Sequence, residues 1–442
     1  MSPREPTRRC WRVQRMLVFD EWGPAMRVAV MFVMLALVFP LPTFAQQQQV
    51  VRPPIAVYWM SIDTASGMGA GGAMGMMASM VGRGEAAQRT MHLQLGSSQT
   101  ATGEPKAGHD IPPALNMGQT LPLVSPKRAP EAPGRETNLP EGVEKPKGRM
   151  KIYWGCGNDV RSGQPIVIDF AKIAAGEQAV NIPAVRVSVP TGPAPGRSRT
   201  YGDWPNPEDT KPVPTNGSLR GDHTIKGNYS PDIRFPIGER HDFMAPVSFA
   251  PLQKTLSGGM SVRWKPIPTA TGYFAFAMGA TQGAEDIVLW SSSDVADTGG
   301  ALFNFIPPGE VARLIREKVV MPPQTTECTV PGQVVKEMGT PFLRFIAYGD
   351  ELNLVHPPRP QDPSQPREQI WAVKVRLKST AGLMLAEGMG GVRGEGEARE
   401  ERAPSQARPE APPKPQPEQK SGGAVDDAVK EGVKIFRGIF GK

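Results

Sequence analysis

Two adjacent pairs of carboxylate and imidazole side chains lie between residues 203 and 242. They are Asp222 with His223 and His241 with Asp242. These residue types bind metal ions or exchange protons when folding brings them together. Their spacing matches no standard ligand pattern, and Asp in irregular segments commonly stabilises turns. A metal-binding or metal-dependent site built from these four residues is therefore the alternative function rather than the first one.

A run of Gly and Met at 67–84 follows the apolar segment 55–63. Its five methionines are Met68, Met74, Met76, Met77 and Met80. Thioether sulfur suits Cu(I), and His92 is the nearest imidazole in sequence, so copper handling is a less favoured hypothesis. Met-rich surfaces also make adaptable apolar contacts. We expect this loop to be a contact surface, with plain disorder as the other alternative.

Sequence signatures of enzymes are missing from the chain. It contains no G-x-S-x-G, P-loop, H-E-x-x-H or C-x-x-C pattern, which are the local signatures of common hydrolases, nucleotide-binding proteins and metalloproteins. The sequence therefore favours a non-enzymatic protein, predicts no cofactor, and leaves the question of enzyme activity open.

Residues 28–39 form an uninterrupted apolar run after Met26-Arg27, and the small residue Ala45 follows six positions later. This pattern is typical of a secretory signal peptide, and the run is too short to span a membrane. We expect residues 1–45 to comprise an upstream extension and a cleaved signal. The mature protein would then be exported, and either periplasmic or on the cell surface.

Charge and cysteine content agree with export. The formal charge is +7, and the first 45 residues hold six Arg against three acidic residues, which leaves about +4. No concentrated basic stripe is present, so nucleic acid is not an expected partner.

Cys10 is lost with the signal, and Cys156 and Cys328 are a candidate disulfide. Two separate buried thiols are the alternative.

Short apolar or alternating runs separated by Gly and Pro predict a mainly β fold. We expect two antiparallel β-sandwich-like domains, at 50–190 and 241–380, with a single helix near 307–319. Between them, 191–240 is rich in Pro, Gly and Asp but contains aromatic residues. It is therefore predicted to be an ordered, irregular segment that wraps around one or both domains.

The second predicted domain resembles a fibronectin type III domain. SVRWKPIPTATGYFAFA at 261–277 is similar to the second and third strands of that fold, and FLRFIAYG and WAVKVRLKS are similar to its last two. The resemblance covers 257–379 and implies binding or spacing rather than chemistry. The whole chain also resembles exported proteobacterial proteins of unknown function, which implies a compartment alone.

The C-terminal region combines a tail and a short helix. Residues 387–423 lack aromatic residues, Leu and Ile, which predicts disorder. Within 424–442 five apolar residues recur at helical spacing on one face; they are Val425, Val429, Val433, Phe436 and Phe440. This amphipathic helix either contacts an envelope protein or a membrane surface, or packs back on its own domain. Together these features predict an exported binding or envelope scaffolding protein.

Overall fold

The computed structural model describes residues 52–67, 87–126 and 148–387, apart from 180, 282, 284–285, 340, 359, 363–364 and 367. This described part of the chain is mainly β, which confirms the predicted fold class at that level. The signal region 1–45, the five loop methionines, and residues 388–442 of the predicted tail and helix lie outside it.

Sixteen strands form in the described residues. In chain order they are β1 (Ala56–Gly67), β2 (Gln88–Ser97), β3 (Ala107–Asp110), β4 (Thr120–Leu123), β5 (Arg149–Trp154), β6 (Ile166–Asp169), β7 (Thr200–Trp204), β8 (Gly221–Gly227), β9 (Ser230–Ile237), β10 (Gln253–Lys254), β11 (Met260–Arg263), β12 (Gly272–Ala280), β13 (Ile287–Ser291), β14 (Glu327–Val330), β15 (Phe342–His356) and β16 (Trp371–Met384). Three α-helices accompany them: α1 (Phe170–Ala174), α2 (Pro308–Arg316) and α3 (Gly332–Glu337). None of these helices is long and apolar enough to cross a membrane.

Nine of the strands form one mixed sheet in the order β6-β5-β13-β12-β15-β16-β1-β2-β7. The pairs β1–β16 and β13–β5 are parallel, and the other neighbours are antiparallel. Two smaller sheets have the orders β4-β3-β8-β9 and β10-β11-β14. The described residues 360–362, 365 and 366 belong to a separate unit. Within it, Gln365 N donates to Asp362 O at 3.2 Å.

The large sheet is buried on both faces. Along β12, Tyr273 and Ala275 belong to one hydrophobic core, and Phe274 and Phe276 belong to another. Successive residues of a strand point to opposite faces, so the continuous apolar run GYFAFA suits a strand between two cores. The first core also contains residues of both smaller sheets, and the second contains Val311 and Leu314 of α2.

The expected division into two sandwiches is not confirmed. The large sheet contains strands from both predicted domains: β1, β2, β5 and β6 from 50–190, and β12, β13, β15 and β16 from 241–380. The segment 191–240 also differs from the expected irregular wrap, because it contains β7, β8 and β9. Alternation explains this difference: Ile233, Phe235 and Ile237 are buried while the residues between them are exposed.

Candidate functional site

A cleft of about 560 Å³ opens where β1 begins and β2 ends. Its third wall is the segment 191–199. We call it the Trp59 cleft, and its lining residues are Pro54, Ile55, Val57, Trp59, Gly96, Ser97, Ser98, Thr191, Gly192, Pro193, Arg197, Ser198 and Arg199. This volume lies within the range of small-molecule sites.

Two glycines allow the wall 191–199 to approach the strands closely. A Cβ atom on Gly192 would lie 2.6 Å from Cε3 of Trp59, so the peptide backbone at this position packs against the indole ring. A Cβ atom on Gly96 would lie 2.8 Å from Pro193 Cβ and closer still to Ser198 Oγ. A larger residue at either position would force neighbouring atoms of the wall or of Trp59 to shift.

Hydrogen bonds hold this wall to β2. Gln94 Nε2 donates to Pro193 O at 3.0 Å, and Arg199 N donates to Ser97 O at 2.9 Å. Directly after the wall, Thr200 Oγ1 donates to Gln99 O at 2.7 Å. The backbone that carries the cleft arginines is therefore fixed to a strand of the large sheet.

Arg197 and Arg199 are exposed, and neither guanidinium has an ion-pair or hydrogen-bond partner among the residues that the structure describes. A second surface depression, of about 410 Å³, is different. Its cations Lys226 and Arg234 have carboxylate partners, Asp110 at 2.8 Å and Asp232 at 3.5 Å. The Trp59 cleft thus offers positive charge that no carboxylate of the described chain neutralises.

Trp59, which is 6% exposed, is held from behind by cations of β16. The guanidinium carbon of Arg376 lies 4.7 Å from the Trp59 ring centroid and 4.6 Å from that of Phe305. Arg376 Nε also donates to Ser61 Oγ at 2.8 Å. Burial lowers the pKa of Arg376, and this desolvation strengthens cation–π contacts. The indole is therefore fixed in position before any ligand arrives.

Burial also shifts the pKa values of an ion pair beside this cluster. Lys378 Nζ lies 3.6 Å from Asp63 Oδ2 and 4.6 Å from the ring centroid of Phe305. Thr380 Oγ1 donates to both carboxylate oxygens of Asp63, at 3.0 and 3.1 Å. Desolvation raises the pKa of Asp63 and lowers that of Lys378. Because these groups satisfy one another, we assign them a structural role.

Ser61, His92 and Asp203 lie on three neighbouring strands and have the residue types of a hydrolase triad. Ser61 and His92 are register partners, and His92 Nε2 lies 3.9 Å from Asp203 Oδ2. The Ser61 hydroxyl, however, accepts its hydrogen bond from Arg376 rather than donating one to His92. The arrangement lacks the serine–histidine hydrogen bond that would activate a nucleophile.

The four predicted metal-ligating residues do not form one cluster. His223 is buried in β8 and Asp222 is exposed beside it. His241 Nε2 lies 3.7 Å from Asp350 Oδ2, whereas Asp242 accepts hydrogen bonds from Ser218 Oγ and Leu219 N. No group of three His, Cys, Asp or Glu side chains in the described ranges could hold a metal ion. The predicted His/Asp site is therefore not supported.

His223 instead belongs to a buried hydrogen-bonded chain with Tyr58 and His109. The Tyr58 oxygen lies 2.8 Å from His109 Nδ1, and His109 Nε2 lies 2.8 Å from His223 Nδ1. At the far end, His223 Nε2 lies 2.7 Å from Leu219 O. All three side chains are fully buried, and Phe235 stacks on His223 with centroids 5.2 Å apart.

The carbonyl at the end of this chain fixes every proton in it. Leu219 O can only accept, so His223 carries its hydrogen on Nε2 and accepts at Nδ1. His109 must then donate from Nε2 and accept at Nδ1 from the Tyr58 hydroxyl. Burial lowers the pKa of both imidazoles and raises that of Tyr58. With both nitrogens engaged, His223 has no lone pair left for a metal.

The structure places Cys156 and Cys328 in a disulfide bond, with Cα atoms 5.2 Å apart. Cys156 follows β5 at one side of the large sheet, and Cys328 lies in β14 of the three-stranded sheet. Close by, Gly157 N donates to Thr329 O at 2.9 Å. The bond thus joins two sheets across 172 residues of sequence.

Neither the Trp59 cleft nor His109 was identified from the sequence. The cleft arginines lie in a Pro- and Gly-rich stretch whose pattern gives no sign of a site, and His109 lies in a segment dominated by Pro, Gly and charge. No family model, curated protein or solved structure matches this chain. The cleft is therefore a candidate functional site because of its shape, its charge and its lining residues alone.

Proposed function

We propose that the chain is an exported, non-enzymatic binding protein of the cell envelope and that the Trp59 cleft holds its ligand. One observation carries this proposal: Arg197 and Arg199 stand without carboxylate partners among the described residues, beside a fixed indole. Charged and aromatic groups that converge on a concave surface are typical of ligand sites. The hydrogen bonds from the wall to β2 reduce the ordering that a ligand would have to impose.

Export rests on two further features. The sequence at 28–45 is typical of a signal peptide, and Cys156 and Cys328 are bonded. Disulfides persist in oxidising compartments such as the periplasm and the cell surface, and are rare in the bacterial cytosol. An envelope location explains both features together.

Two contact elements outside the described residues complete the proposal. The apolar face of 424–442, with Phe436 and Phe440, would dock on an envelope protein or membrane surface. The Met-rich loop would add a second contact. The likeness of 257–379 to a fibronectin type III domain, and with it the sandwich architecture, fits such a role and stays a prediction.

Export is tested by fractionating cells that express the full chain and weighing the intact protein from each fraction. We expect a periplasmic or surface protein whose mass matches residues 46–442 less two hydrogens. A protein that stays in the cytosol with its first 45 residues would contradict the proposal. Deleting 425–442 should then abolish envelope association if the terminal helix docks.

Ligand binding is tested with the exported protein on an array of saccharides, lipids and short peptides. The double variant Arg197→Ala/Arg199→Ala removes both cleft cations. The matched control, Arg186→Ala/Arg316→Ala, removes two exposed arginines that also lack side-chain partners among the described residues. We expect at least one class of ligand to be lost in the first variant and retained in the second. If no ligand distinguishes them, the cleft is not the binding site.

A further inference from the structure

The lining of the Trp59 cleft defines the charge of its ligand. Its thirteen lining residues, all within the described chain, include Arg197 and Arg199 but no Asp or Glu. Guanidinium groups match carboxylate and phosphate oxygens in geometry, through paired N–H donors. A ligand with charge complementary to these two groups is an anion.

The hydroxyl groups of the cleft indicate a second property of the ligand, its capacity for hydrogen bonding. Thr191 and Ser198 have side-chain oxygens without a hydrogen-bond partner among the described residues. Ser98 Oγ donates to Ile55 O at 3.2 Å and keeps lone pairs that can accept. Buried Ser97 Oγ also donates to Ile55 O, at 3.3 Å, and accepts from Gln99 N at 3.0 Å. Two hydroxyls that can donate or accept, and a third that can accept, suit a ligand with several hydroxyl groups of its own.

The apolar lining excludes one class of ligand. Trp59 is 6% exposed and Pro193 is buried, so the apolar residues close the floor of the cleft rather than forming a deep apolar tunnel. An acyl chain needs an enclosed apolar cavity, which this floor does not provide. The cleft thus combines an anion site with hydroxyl groups.

We infer that the Trp59 cleft binds an anionic saccharide, meaning a hydroxylated ring that carries a carboxylate or a phosphate. This inference rests on the proposed binding function and names its class of ligand. The two guanidiniums bind the anionic group, and the hydroxyls of Thr191, Ser198 and Ser98 bind the ring hydroxyls.

The probes are digalacturonate, its uncharged counterpart digalactose, glucose 6-phosphate and inorganic phosphate, each titrated calorimetrically into the exported full chain. We expect one of the two anionic sugars to bind at least tenfold more tightly than its matched control, digalactose or inorganic phosphate. Arg197→Ala/Arg199→Ala should weaken that binding about 100-fold, at roughly tenfold for each charge-assisted contact. Arg186→Ala/Arg316→Ala should stay within about twofold of the wild type.

Several outcomes would overturn the inference. Equal affinity for digalactose would show that charge is not used, and equal affinity for inorganic phosphate would show a bare anion site. Arginine-dependent binding of vesicles with anionic phospholipid, without binding of either sugar, would assign a lipid headgroup instead. If neither anionic sugar binds while the array still gives a ligand that needs both arginines, the inference fails and the proposed function remains.

Discussion

Acid should destabilise the fold through the buried chain of Tyr58, His109 and His223. Each imidazole already donates from Nε2 and accepts at Nδ1, so a second proton would place an N–H group against another donor. Burial is the main cause that holds both histidine pKa values below their ordinary value. The folded state therefore resists protons that the unfolded chain takes up.

The sign and size of this effect follow from proton linkage. An unfolded histidine has a pKa of about 6.5, so below that pH the unfolded state binds more protons and the free energy of unfolding falls. The contribution of the two neutral histidines to the free energy of unfolding is intact above about pH 6.5, and it is lost as the pH falls toward their folded pKa values. Each histidine lowers the free energy of unfolding by up to about 1.4 kcal/mol per pH unit. Together they lower it by at most about 2.7 kcal/mol between pH 7.5 and 5.5.

Urea unfolding at pH 7.5, 6.5 and 5.5 measures this loss. Burial raises the pKa of Asp63, so this carboxyl group opposes the loss of stability in acid that the histidines cause. Comparing the wild type with His109→Gln/His223→Gln isolates the histidine contribution. The stability difference between the two proteins should shrink by up to about 2.7 kcal/mol over this range. His356→Gln, which changes an exposed histidine outside this hydrogen-bonded chain, is the matched control.

Two results would refute this reasoning. The first is a stability difference between wild type and double variant that does not change with pH. The second is an ¹⁵N NMR titration in which either buried imidazole takes up a proton near pH 6.5. The spectra also test the proton positions, because His109 and His223 should both carry hydrogen on Nε2 and none on Nδ1. This readout stands even if the double variant does not fold.

Two further predictions concern the disulfide and the cleft wall. Replacing Cys156 and Cys328 with Ser should lower the free energy of unfolding by about 2–5 kcal/mol, because the bond closes a loop across 172 residues; reductant should lower the urea midpoint of the wild type but not of the variant. Gly192→Ala should cost about 1–3 kcal/mol and weaken cleft binding, because its Cβ would lie 2.6 Å from Trp59. Gly300→Ala, with no atom within 4 Å of its Cβ, should stay within about 0.5 kcal/mol, and equal Tm values for both glycine variants would contradict the packing argument.

Several strands were predictable because their signal is local. The runs at 55–63 and 150–157 have the β-branched and aromatic residues that suit a buried strand, and they form β1 and β5. The helix predicted at 307–319 forms as α2, where Pro308 stands in the first turn and Val311 and Leu314 face the core. The hydrophobic periodicity and the composition of about ten consecutive residues were sufficient to predict these elements.

Strand pairing was not predictable in the same way. β1 pairs with β16 although more than 300 residues separate their register partners Tyr58 and Val373. β5 likewise pairs with β13, so that Ile152 faces Leu289. A single sequence carries no signal for such distant partners, and proximity along the chain favoured two separate sandwiches instead.

The candidate sites were hidden for a related reason. His223 stood out in the sequence because Asp222 precedes it, but in β8 these neighbours point to opposite faces. Its true partner, His109, lies 114 residues earlier and on another strand. Arg197 and Arg199 gain meaning only from the cleft that Trp59 and the glycine-lined wall create. Each site depends on contacts that the pairing of distant strands produces.

The central place of β16 constrains the order in which the chain is able to mature. β16 lies between β15 and β1, and β1 pairs with it over twelve residues. A polypeptide that emerges N-terminus first leaves β1 and β15 with unpaired edges until Met384 has been delivered. Unpaired edges invite association with other chains. A holding chaperone that keeps the chain extended until the last strand arrives would protect this architecture during its biogenesis.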